Sequence, residues 1–278
     1  NTELYINNIT NKTRVLASGL IDDKGDELKF GDDKTYSFAG GIIGVAENNV
    51  TLTACSNKDS GEVTGKGTYL GGLVEVNYGK VKNCDAGNFG ENTRSYVGGI
   101  VGVNGETGEI SGCSVSGIIT GKDNVGGLVS ENYGKLKSEG GKNCILTGSV
   151  RGMGSNVGGL VGSNMKGGAI ENVKSSGTVE GRGTNVGGFV GRNAGSLSDG
   201  LKNEGELVSG EANVGGLVGL QEGTEKLESL ENFAKVIAQN GDAGGIIGTS
   251  TGGGYEMFLC FNHGSVNAVK SGNVGGIM

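Results

Sequence analysis

Proline and tryptophan are absent from this 278-residue chain, histidine occurs once, and aromatic residues make up only 5% of it. Each absence narrows the field. A single His263 excludes a two-histidine HExxH zinc site within these residues and leaves little for a Ser-His-Asp arrangement. It precedes Gly264-Ser265-Val266 where other units carry Ser60, Ser116, Thr147, Ser176 and Glu204, so a turn is expected there. Lys and Arg number 23 against 30 acidic residues, a net charge of −7, and the basic residues are scattered. Nucleic acid is therefore not an expected partner, because counterion release needs a clustered basic face. No apolar run reaches membrane-spanning length, so no membrane insertion of this segment is expected. No signal peptide opens the chain, which begins at Asn1 and ends partway through a repeat as NVGGIM; a piece of something longer is the expectation.

What is abundant is glycine, 60 residues in all, and it is periodic. Gly-Gly pairs within apolar-GG-[Leu/Ile/Phe]-apolar begin at Gly40, Gly71, Gly98, Gly126, Gly158, Gly187, Gly215, Gly244 and Gly275. The period is close to 29 residues, which marks a solenoid or related array. Within one unit, Val157–Val161, the stretch around Ile170 and Val173, and Thr178–Glu180 are short and apolar, bounded by Gly, Asn and Ser. They read as strands separated by turns. Only Glu225–Val236 hints at a helical stripe. Three strands per unit of this length predict an all-β parallel β-helix, with residues 1–35 as an N-terminal cap or partial rung and 36–278 as the repeats. A propeller blade needs four antiparallel strands and more residues, and the leucine-rich pattern is missing. With parallel strands about 4.8 Å apart, eight intervals give a column of roughly 38 Å.

Equivalent positions carry equivalent chemistry. Asn77, Asn104, Asn132, Asn164 and Asn193, followed by Gln221, lie six residues after their Gly pairs, where stacking predicts an amide ladder. Asn124, Asn156, Asn185, Asn213 and Asn273 precede the pairs, at a place suited to left-handed backbone. Cys55, Cys84, Cys113, Cys144 and Cys260 occupy a slot filled elsewhere by Val173 and Phe233, so a buried thiol stack is expected, with no disulfide framework and no zinc.

Catalytic chemistry has no evident seat. The Gly-x-Gly pairs at Gly65/Gly67, Gly152/Gly154 and Gly181/Gly183 lack the rest of a dinucleotide fingerprint, and Gly65-Lys66 and Gly121-Lys122 lack the Ser or Thr of a P-loop. Asp22, Asp23, Asp26, Glu27, Asp32 and Asp33 read as solvated charge, and Glu180, Glu204 and Glu206 face outward by alternation with no partner that would raise the pKa of one of them. No catalytic residue, metal site or cofactor is expected. Asn57–Tyr69, Asp85–Tyr96 and Thr251–Phe261 lengthen the repeat as loops, which makes Phe89, Arg94, Tyr96, Tyr255 and Phe258 the contact candidates.

NVGGLVGSN at 156–164, NVGGFVGRN at 185–193 and NVGGLVGLQ at 213–221 resemble the GLUG motif, and the resemblance spans about residues 36–278. It implies a bacterial secreted or cell-surface protein, since such repeats accompany IgA-specific metallopeptidases and large adhesin-like polypeptides. The function expected is a noncatalytic spacer and adhesive surface for a protein or glycan of a host or neighbouring cell. Two alternatives stay open: an accessory substrate-capture region of a secreted IgA-protease-like metallopeptidase, and a carbohydrate-active β-helix enzyme.

Overall fold

A computed structural model describes residues 2–12, 15–17, 29–30, 34–35, 39–58, 63–65, 69–90 and 94–278. The acidic residues Asp22, Asp23, Asp26, Glu27, Asp32 and Asp33, and residues 59–62 and 66–68 of the Asn57–Tyr69 segment, lie outside the described residues. The chain coils into a parallel β-helix whose strands stack into sheets of nine, nine, eight, eight and six members, without a helix among the described residues. Register follows the sequence repeat: Val157 and Gly158 pair with Val186 and Gly187 one rung on, and Asn164 pairs with Asn193. Within the segment expected to cap the column, Leu4–Asn7 pairs in parallel with Val50–Thr53.

A full rung carries five short strands, because two of the three apolar stretches bend at a corner; the rung from Leu70 has four, with a single bridge at Phe89 in the fifth place. In one rung these are Val157–Gly158, Val161–Asn164, Ala169–Glu171, Lys174–Ser175 and Thr178–Gly181, here called the first to fifth sheets. The Glu225–Val236 stripe is no helix. It holds strands at Leu227–Glu228 and Leu230–Asn232 and enters a third at Lys235–Ala238, because the rung imposes a pairing partner at every strand.

The Gly-Gly pair makes the tightest corner. A Cβ on Gly158 would be driven into the Val161 carbonyl oxygen, and one on Gly159 into the carbonyl oxygen of Gly188 in the next rung. Gly162, across the bend, faces the Asn124–Val125 backbone of the rung before. The first and second sheets thus meet through bare backbone, a close approach only glycine permits. Between these corners the interior is filled by stacked apolar columns, such as Leu73, Ile100, Leu128, Leu160, Phe189, Leu217 and Ile246, all fully buried.

The cysteine column is as expected for Cys55, Cys84, Cys113 and Cys144, which are fully buried and unbridged, while Cys260 is half-buried. Its later occupants need correction. Leu201 pairs with Leu230 on the line that contains Val173 and Cys260, so leucine, not Phe233, fills the slot. Phe233 lies outside and stacks on His263 with ring centroids 4.4 Å apart. Variable spacing after the Gly pair misplaced it by three residues. The thiols also do more than fill space: the backbone N–H groups of Cys55, Cys84 and Cys113 donate to the sulfurs of Cys84, Cys113 and Cys144 respectively, each at 3.4 Å. Above Cys144 stands Val173, and the Cys144 N–H turns instead to Ser138 Oγ at 3.0 Å.

Candidate functional site

Amide ladders set the frame for the candidate surface. Asn77, Asn104, Asn132, Asn164 and Asn193 each donate to the side-chain oxygen of the next member, ending on Gln221, at 2.8 Å throughout. All six are fully buried. The corner series runs the other way: Asn156 donates to Asn124, Asn185 to Asn156 and Asn213 to Asn185, at 2.8–2.9 Å. Asn124, Asn156, Asn185 and Asn213 have φ between 49° and 61°, whereas Asn273 is held by Asp242. A third ladder, Asn203 to Asn232 to Asn262, lines the fourth sheet at 3.1 and 2.9 Å. It had a signal in the sequence, since the three asparagines recur at the period, but Ala86, Val115 and Leu146 precede them in the same column and hide it.

Where the corner series would continue toward the N-terminus stand tyrosines. Register places Tyr69 and Tyr96 on the line of Asn124, and Tyr96 keeps the left-handed backbone at φ 58°. Their rings lie 4.8 Å apart, tilted by 60°. The Tyr69 hydroxyl donates to Glu131 Oε2 at 3.3 Å. Glu131 comes from the second sheet, in a column that reads Val76, Val103, Glu131, Ser163, Arg192. It is only 9% exposed, and desolvation holds its carboxyl above the ordinary range. Burial, then the nearby Glu131 charge, raises both Tyr69 and the half-buried Tyr133, so their hydroxyls remain protonated donors. Arg192, two rungs on, is engaged with Glu222 at 2.5 Å and lowers the Glu131 carboxyl only as a lesser influence.

The five loop candidates do not converge. Phe89 is core, 5% exposed, and bridges Ile119 in the fifth-sheet position. Arg94 contributes its carbonyl to the Lys122 N–H at 2.5 Å. Only Tyr96 belongs to the tyrosine cluster. Tyr255 and Phe258 sit at the far end of the column, where the Tyr255 hydroxyl reaches Met278 Sδ and Lys226 Nζ lies 5.1 Å from the Phe258 ring centroid. Asp85–Ala86, Met257–Phe258 and Phe261 are strand residues rather than loop, because the segments that lengthen the repeat still return to the ladder. Tyr69, Tyr133 and Glu131 were missed: they are single departures from a repeat, visible only once register is known.

The outward carboxylates are spent on neighbours. Glu180 pairs with Arg151 at 3.2 Å on the rim of an open groove of about 390 Å³ that Arg182 and Met153 also line, and Glu204 pairs with Lys202 at 3.0 Å. Among the described residues, no three His, Cys, Asp or Glu side chains gather as a metal site.

A family model for the GLUG motif matches residues 93–120 and 153–180. Each match runs from just before a Gly pair to the fifth-sheet strand of the same rung, nearly one full turn. No curated protein and no solved structure matches the chain.

Proposed function

We propose that this column of GLUG repeats is a noncatalytic, stiff carrier in a bacterial secreted or cell-surface protein, and that it presents a recognition surface for a protein or glycan of a host or neighbouring cell. The observation that carries the reading is the tyrosine–carboxylate cluster, which interrupts a corner series whose amides pair along the column. Amides close on amides, and Arg151, Lys202 and Arg192 close on Glu180, Glu204 and Glu222. Tyr69, Tyr96, Tyr133 and Glu131 form the place where the repeat gives up this self-pairing for aromatic surface, the side-chain type enriched where proteins recognise partners. Fully satisfied ladders favour a rigid scaffold behind such a surface.

The test is a screen of the whole chain against a glycan array and a panel of extracellular host proteins, repeated with Tyr96→Leu. Saturable capture by the native chain that weakens in the variant is expected. Absence of capture in both screens rejects the binding reading, and glycan turnover abolished by Glu180→Gln replaces it with an enzyme.

A further inference from the structure

We propose that Tyr69, Tyr96, Tyr133 and Glu131 form a receptor for an organic ammonium group, with two tilted tyrosine rings as walls and the Glu131 carboxylate as the counter-charge. This rests on the recognition-surface reading and names the chemistry that surface takes.

Burial leaves the Glu131 carboxyl under-compensated. Glu131 is nine-tenths buried, and its hydrogen bond among the described residues comes from a neutral phenol, Tyr69, at 3.3 Å. No Lys or Arg nitrogen among them comes within ion-pair distance of it; Arg192, the nearest candidate in its column, is committed to Glu222 and to Met165 Sδ. A buried carboxylate gains from a cation that can itself tolerate desolvation. An alkylated ammonium does so far better than a hydrated metal ion, which needs several hard oxygen ligands where this site offers one carboxylate.

The Tyr69 and Tyr96 rings supply the apolar part of the site. A face-to-face stack would leave no room between them, but a 60° tilt at 4.8 Å opens a wedge with π-surface on two sides. Such surfaces attract an ammonium through their quadrupole, and quaternary ammonium groups are recognised by aromatic cages of this kind. Tyr133 follows Glu131 by two residues and is half-buried, and burial, then the Glu131 charge, raises its hydroxyl. Elsewhere in the column, Asn124, Asn156, Asn185 and Asn213 fill the equivalent corner, where they pair with one another and, at Asn124 and Asn213, accept from Ser163 and Thr249, so no aromatic wall stands there.

The experiment titrates the intact chain with choline and, separately, with its neutral isostere 3,3-dimethyl-1-butanol. Tyrosine fluorescence is the readout, unobscured because the chain has seven Tyr and no Trp. Saturable millimolar binding of choline and none of the isostere is expected, with affinity falling about tenfold or more in Glu131→Gln and in Tyr96→Leu. Tyr69→Phe keeps the ring and frees the carboxylate, and Arg192→Gln removes an opposing charge; both are expected to bind choline at least as tightly as the parent. Far-UV circular dichroism identifies any variant that fails to fold, and the two conservative variants then carry the test. Equal binding of the isostere, no saturation with the parent chain, or undiminished affinity in a folded Glu131→Gln overturns the receptor. Should capture in the glycan or protein screen persist while choline fails, the receptor falls and the recognition surface stands.

Discussion

Asn132 donates its side-chain amide to Asn164 across one rung at 2.8 Å, and nothing about that pair is left unsatisfied. Its second amide hydrogen reaches the Gly134 carbonyl at 3.1 Å, and its oxygen accepts from Asn104 at 2.8 Å. Because the ladder is fully buried, Asn132→Leu strands a donor on Asn104 and an acceptor on Asn164 away from water. Each stranded group costs about 1–3 kcal/mol, so a loss of about 3 kcal/mol is expected. Asn156→Leu, at a half-buried corner, should cost less than half as much. Thermal unfolding followed by circular dichroism checks the pair, and hydrogen exchange should place the damage in the rungs of Asn104 and Asn164, since repeat arrays couple mainly to neighbours. An unchanged midpoint for Asn132→Leu would remove the ladder's role in holding register.

Glycine supplies a paired contrast. At Gly158 an added methyl group meets backbone on both sides, the Val161 carbonyl and the Gly191 N–H, neither of which can yield without breaking a strand. Gly253, in the loop before Tyr255, has open space around it and no left-handed φ. Gly158→Ala is expected to destabilise by about 3 kcal/mol or more, in the range of severe overpacking. Gly253→Ala should be neutral or stabilising by about 0.5 kcal/mol, because it restricts only the unfolded chain. Urea midpoints distinguish the two, and similar losses for both would show that the Gly pairs are not held by close approach.

Period and patterning made most of the architecture legible before any coordinates. The Gly-Gly spacing specified the rung, the recurring asparagines specified two ladders, and four of the five cysteines fell in the core because their slot alternates with Val173. What escaped was local geometry inside the rung. Corners that split Val157–Val161 into two strands leave no composition signal beyond glycine, which is everywhere. Left-handed corners at Ala54, Ser229 and Leu259 carry residues that give no hint of them, with φ of 53°, 58° and 53°. The tyrosine cluster was half legible: Tyr96 stood out as an aromatic in a lengthened unit, but its ring contact with Tyr69, and the Tyr69 hydrogen bond to Glu131, exist only through stacking.

The cysteines test burial and hydrogen bonding together. A soluble thiol reagent should modify at most the half-buried Cys260 in the native chain and all five after denaturation. Burial raises Cys113 and pushes Cys144 up to about 12, so at those two positions the reactive thiolate is scarce as well as enclosed. Cys113→Val keeps the volume but deprives the Cys84 N–H of its sulfur acceptor at 3.4 Å. A cost of about 1–3 kcal/mol is expected despite the conservative shape. Rapid native labelling of four or five thiols would contradict the interior assignment.

Glu131 gives the column a pH dependence whose sign is set by burial. Its carboxyl titrates above the ordinary 4.5, chiefly through desolvation, against smaller lowering by the Tyr69 hydroxyl and Arg192. A raised carboxyl means the folded chain holds a proton that the unfolded chain releases. Its contribution to stability is therefore complete below about 4.5 and is lost as pH rises through the folded value. Glu131→Gln, which keeps an acceptor for Tyr69 and carries no charge, should melt higher than the parent at neutral pH, with the gap closing as the medium is acidified below the ordinary carboxyl range. Choline adds a second axis to the same measurement. If the buried charge is what an ammonium group relieves, saturating choline should raise the parent's melting temperature more as the pH rises above the ordinary carboxyl range, and leave Glu131→Gln unmoved. A pH-independent gap would mean that Glu131 is not penalised by burial, and an equal choline shift in both chains would place the ligand elsewhere.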